Sequence, residues 1–147
     1  MVYQRLVQIV SGWVAFCHLV LGLGGLFGDA SLIASLVRLF YGADVQIDLT
    51  LFYVAKLLSV YFLVFGALAL AIAIRPRAYL RLVPIIIAFF VLRVAELIYF
   101  YRVVGEQFLV ADRRLTEKIV SFAIIAVLLG VAAYRMRTPA ASAVPQH

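Results

Sequence analysis

Cysteine is almost missing from this chain. Cys17 is the only one, and it lies inside an apolar segment, so no internal disulfide forms and no second thiol is at hand for redox work. Histidine is nearly as scarce: His18 shares that segment and His147 ends the sequence. There is no CxxC, HExxH, GxSxG or phosphate-binding loop. The chain therefore holds no metal site of its own, calls for no bound cofactor and shows no catalytic constellation. Acid is sparse as well, with 7 Asp and Glu against 13 Lys and Arg. The basic residues flank apolar segments and do not cluster with polar aromatics on one face, so the excess does not signal nucleic acid. Flanking Lys and Arg of this kind set orientation in a bilayer.

What the chain has is hydrocarbon. Of 147 residues 67% are hydrophobic, and the mean hydropathy is +1.12; a soluble domain runs at about 45–50% apolar. The excess is too large for a core and indicates an integral membrane protein. A bilayer interior of about 30 Å takes about 20 apolar residues in a helix. Four segments qualify, Leu6–Phe27, Leu51–Ile74, Leu82–Val104 and Ile119–Tyr134. The predicted fold is all-α, a four-transmembrane-helix bundle forming one domain over 1–137, with a disordered polar tail over 138–147. The first apolar run exceeds a signal-peptide core and follows a single positive charge, so it is read as a retained helix.

The links carry their own signals. Asp29 is placed to cap a short interfacial helix over Ser31–Tyr41, with Arg38 facing water. "VQIDLT" alternates apolar and polar residues, predicting a brief extended piece. Gly28 terminates the first helix, Pro84 suits the first turn of the third, and Thr116 is the expected cap of the fourth, with Glu117 and Lys118 at the interface. Trp13 lies too deep for an interfacial anchor and reads as a packing residue. With four spans, one end collects Arg5, Arg75, Arg77, Arg81, Arg135 and Arg137 and no acid. That end is expected to be cytoplasmic, with both termini inside a bacterial cytoplasmic membrane and the long first link outside.

The stretch "FFVLRVAELIYFY", Phe89–Tyr101, holds Arg93 and Glu96 where charge is expensive. From its inner end Arg93 lies about 16 Å deep and Glu96 about 21 Å, Lys56 is about 7–8 Å below the outer boundary, and His18 is about 18 Å from the inner edge. Three helices thus bring His18, Lys56, Arg93 and Glu96 to one level. Helical spacing gives each an inward stripe: Ser11, Ala15, His18, Gly22 and Gly25; Lys56, Ser59, Leu63 and Gly66; Phe89, Arg93, Glu96 and Phe100. Thr116, Ala123 and Gly130 mark a small, close-packing face on the fourth. The blander accounts are an Arg–Glu pair that neutralises itself along one helix, a lysine that snorkels and a histidine bonded to a carbonyl. Lys56 and Arg93 against Glu96 leave one positive charge, which an anionic or carbonyl-bearing ligand would balance. Tyr53 and Tyr99 are near enough to line such a site, or else belong to the interfacial aromatic belt.

Four spans in a short chain, a long first outward link, a tight basic inner turn and the charged "LRVAE" of the third span resemble the small DoxX-like membrane proteins, over about Leu6 to Tyr134. That resemblance implies a membrane subunit near quinone or sulfur redox chemistry, although the lone Cys17 has no thiol to work with. Three readings stand: a bundle that binds a quinone or lipid-like amphipathic ligand through Arg93, Lys56, Glu96 and His18; an accessory subunit of a larger membrane complex or homo-oligomer; and a proton-linked transporter or membrane enzyme relaying through Glu96 and His18.

Overall fold

The computed structural model describes residues 2–107 and 110–138. They form α1 (Val2–Phe27), α2 (Ala30–Tyr41), α3 (Leu49–Ile74), a 3-10 turn over Leu80–Leu82 that runs into α4 (Val83–Tyr99), α5 (Tyr101–Gln107) and α6 (Asp112–Arg137). Helices α1, α3, α6 and the stretch Leu80–Tyr99 are long and apolar enough to cross a membrane, and α2 is a shorter apolar helix. The fold is all-α, and no strand occurs among the described residues. The expected tail lies almost wholly outside them.

Local chemistry fixes the helix ends. The Asp29 carboxylate accepts the Leu32 N–H at 2.8 Å and starts α2. The Asp48 carboxylate accepts the Leu51 N–H at 2.7 Å and starts α3; these caps offset N–H groups that a helix start leaves unpaired. Gly42, at φ 73°, closes α2 in the left-handed conformation that glycine adopts freely. Pro84 sits in the first turn of α4 as expected.

Hydrogen bonds from the Leu32 backbone and the Ser31 hydroxyl hold the Asp29 carboxyl below its ordinary value of 3.8. A depressed folded-state pKa means that the cap is intact above that ordinary value and fades as pH falls through the lower, folded one. Protection of the amides at the start of α2, taken as exchange relative to the unfolded-chain rate at each pH, is therefore expected to be constant from neutral pH down to about 4 and to fall only below it. Asp29→Asn should lose that acid dependence.

Several boundaries differ from the sequence expectation. The fourth helix begins at Asp112, well before its apolar run, with Ala111 as cap; Thr116 donates to the Asp112 carbonyl from inside the helix at 2.9 Å. The third apolar segment is two helices, because the backbone leaves helical geometry at Phe100. "VQIDLT" forms no extended pair: residues 42–48 are irregular, and the Asp48 cap draws Leu49 and Thr50 into α3.

Packing is centred on α1, which lies against α3 on one side and α6 on the other, while α6 in turn packs on α4. The α1–α3 crossing is close because small residues meet there: Ser11, Ala15, Gly22 and Gly25 of α1, and Ser59 and Gly66 of α3, are all buried. The stripes expected on these two helices therefore face each other. On α4 the buried face is instead Val83, Ile86, Phe90 and Leu97. Because α6 is inserted between α1 and α4, α4 turns this face to α6, and Arg93 moves to its edge. On α6 the inward residues are Leu115, Ala126, Leu129, Ala132 and Ala133; Thr116 is exposed and Gly130 has no neighbour within 4 Å. Trp13 is 61% exposed and stacks on Phe16 outside the bundle, so it is not a packing residue. A second apolar cluster at the α2 end joins Ala43, Leu97, Val110 and Leu115 to Val37 and Tyr41, so α2 and its following loop roof the bundle.

Candidate functional site

Lys56 does not join Arg93. Its stripe on α3 faces α1, whose last carbonyls lie within reach, and its Nζ donates to the Leu26 oxygen at 2.8 Å and the Gly28 oxygen at 2.6 Å. The same ammonium stands 4.7 Å over the Phe52 ring. Carbonyls at a helix C-terminus carry partial negative charge, so the Lys56 charge is satisfied where it stands. The stripe that carries Lys56 faces α1, and the side chain reaches the end of that helix instead of α4.

His18 faces the gap between α3 and α4. Its Nδ1 bonds the Val14 carbonyl at 2.8 Å, so Nδ1 carries the hydrogen and a neutral ring offers only an acceptor at Nε2. Phenyl rings surround it: Phe65 at 4.7 Å, Phe62 and Phe89 at 5.8 Å and Phe90 at 6.4 Å between centroids. Helices α3 and α4 meet here chiefly through side chains, Phe65 lying 4.3 Å from Phe89.

Arg93 pairs with Glu96 one turn along α4. The two are 28% and 49% exposed, so the pair lies at the edge of the bundle and the guanidinium is the more enclosed partner. Arg93 lines an apolar cleft of about 1360 Å³, and so do Cys17, His18, Tyr41, Lys118 and Ser121. The Tyr41 phenol lies within electrostatic reach of both Arg93 and Glu96. Burial pushes it above its ordinary value of 10.0, with Arg93 acting in the opposite sense, so it stays a neutral O–H donor. Lys118 lies within similar reach of Cys17. Arg93 and Lys118 each stand six residues from the α2 end of their helices, about 9 Å along the axis, and so share a level.

Of the residues expected to form one site, His18 and Arg93 share the cleft, Glu96 holds Arg93 from its margin, and Lys56 is engaged elsewhere. Tyr53 and Tyr99 stand outside the bundle, 64% and 82% exposed. Lys118 and Tyr41, not expected there from the sequence, line the cleft with His18 and Arg93. Lys118 escapes a reading of hydropathy because it directly precedes the apolar run. The signal available was Glu117, which bonds Arg113 at 2.9 Å and lies 3.6 Å from Arg114, so the adjacent lysine shares that acid with two arginines and has no ion pair of its own among the described residues.

Among the described residues no three His, Cys, Asp or Glu side chains gather in a way that would hold a metal ion. A more open hollow of about 610 Å³ between α5 and α6 reaches only rim residues such as Arg102 and Glu106. No family model, curated protein or solved structure matches this chain.

Proposed function

We propose that this chain is an integral membrane protein that binds a small amphipathic molecule, quinone or lipid-like, by an anionic or carbonyl head in the cleft under α2. The observation that supports the reading is that Arg93, Lys118 and Tyr41 all line one mostly apolar cleft. Charged groups in a membrane interior are kept at a cost of several kcal/mol, and helix packing alone does not call for them. Arg93 contacts the head, Glu96 orients Arg93, Tyr41 donates a hydrogen bond, and the phenyl rings around His18 receive the apolar part. The basic end, with Arg5, Arg75, Arg77 and Arg81, is the cytoplasmic side of a bacterial cytoplasmic membrane on this reading. The DoxX-like resemblance agrees with a place near quinone chemistry. A relay through Glu96 and His18 has less support, because the His18 proton is held by Val14 and the ring is walled by phenyls.

Thermal-shift measurements on the detergent-purified protein, against a panel of quinones and lipids, test the proposal. At least one amphiphile is expected to raise the melting temperature, with affinity about tenfold weaker in Arg93→Ala. The double change Arg93→Ala with Glu96→Gln should bind as weakly, which separates loss of the guanidinium from an orphaned carboxylate. Shifts that survive both changes rule the site out.

A further inference from the structure

We infer that the cleft selects a long-chain amphiphile with an ionised head, a carboxylate or phosphate, over a neutral carbonyl head, and that Lys118 makes the selection. The inference rests on the binding reading above and names the ligand class within it.

It follows from a full account of the acids. The chain has 7 Asp and Glu. Asp29 and Asp48 cap helices. Glu96 is held by Arg93, and Glu117 by Arg113 and Arg114. Asp44, Glu106 and Asp112 are exposed at the surface. Among the described residues Lys118 has no ion pair and no hydrogen bond, although it lies partly buried in an apolar cleft. Arg93 is balanced by Glu96, but the acid nearest Lys118, Glu117, is already shared by Arg113 and Arg114, so among the described residues one positive charge in the cleft is left without an acid of its own.

The remaining polar groups agree in sign. Arg93 bonds Glu96 through a single nitrogen, so its other N–H groups are free to donate. Among the described residues the Tyr41 hydroxyl has no partner. Ser121 already donates to the Glu117 carbonyl at 2.6 Å, and His18 to Val14. Two cations and a phenol line the cleft, a set that suits an oxyanion. A ketone oxygen would accept hydrogen bonds but leave the charge uncompensated. The cleft of about 1360 Å³ is walled mostly by apolar side chains and leaves room for a long apolar tail behind the head.

The full chain in lipid nanodiscs, read by native mass spectrometry, tests this with four probes: palmitate, palmitoyl lysophosphatidate, hexadecanol and decylubiquinone. At least one acidic probe is expected to bind about tenfold more tightly than hexadecanol and decylubiquinone. Whichever acid binds better identifies the head as carboxylate or phosphate. Lys118→Gln should erase that preference by weakening the acidic probe about tenfold relative to hexadecanol, and Lys118→Arg should retain it. Equal binding of acid and alcohol by the native protein, or tighter binding of the quinone, overturns the charge selection and leaves the ligand site standing. If no probe binds, the ligand reading itself falls. A preference that persists in Lys118→Gln, in a variant shown to be folded by circular dichroism, removes Lys118 from the role.

Discussion

Gly22→Leu is expected to lower the unfolding free energy by about 3 kcal/mol or more, because an overfilled contact is relieved only by moving backbone. A Cβ at Gly22 would stand 2.7 Å from Leu63 Cγ and 2.9 Å from the Leu63 backbone nitrogen. The side-chain atom can rotate away. The nitrogen cannot, so α3 must move off α1. The contact is reciprocal, since a Cβ at Gly66 would lie 3.1 Å from the Leu19 backbone nitrogen. Gly22→Ala should cost less, about 1–2 kcal/mol. Gly130→Ala is the control: nothing lies within 4 Å of a Cβ there, and replacing a helical glycine by alanine is worth up to about 1 kcal/mol of added stability. Reversible unfolding in mixed detergent micelles measures all three. A Gly22→Leu protein as stable as the native one would mean that the two backbones are not in close contact.

Lys56→Met should cost about 2–4 kcal/mol, with an effect confined to one end of the molecule. The substitution keeps the apolar stem and removes the ammonium. Two charge-assisted hydrogen bonds, each worth about 1.5–3 kcal/mol, are lost from the Leu26 and Gly28 carbonyls. Those oxygens then lie at the end of a membrane helix with weaker partners. Hydrogen exchange should rise from the end of α1 into α2 and stay unchanged near the opposite end, around Val83 and Ala133. A uniform rise along the chain would point to a general loss of packing and remove the latch from the account.

The contact of α1 with α3 shows what a sequence discloses well. Small residues at helical spacing in α1 meant close approach, and they meet the small residues of α3. Gly24 and Gly28, at the spacing of a familiar packing motif, do other things: Gly24 lies against Leu36 of α2, and Gly28 follows the end of α1. The Asp29 cap and the short helix after it were legible because capping depends on nearest neighbours. The order of helices around the bundle was not. Spacing within one helix does not say which neighbour its stripe meets, so the insertion of α6 between α1 and α4 was hidden, and with it the separation of Lys56 from Arg93. Lys118 was hidden by a different cause. Hydropathy marks where apolar residues begin, whereas a helix begins where its hydrogen bonds do, and in α6 these points are seven residues apart.

Where Phe65 faces Phe89, two helices are joined by rings with little backbone approach between them. A seam of that kind opens by side-chain rotation and breaks no hydrogen bond. A ligand of the class proposed above would enter sideways, tail embedded, without crossing water at any stage. Its exchange would then follow the fluidity of the surrounding acyl chains, and its supply would be set by the makeup of the leaflet at the α2 end.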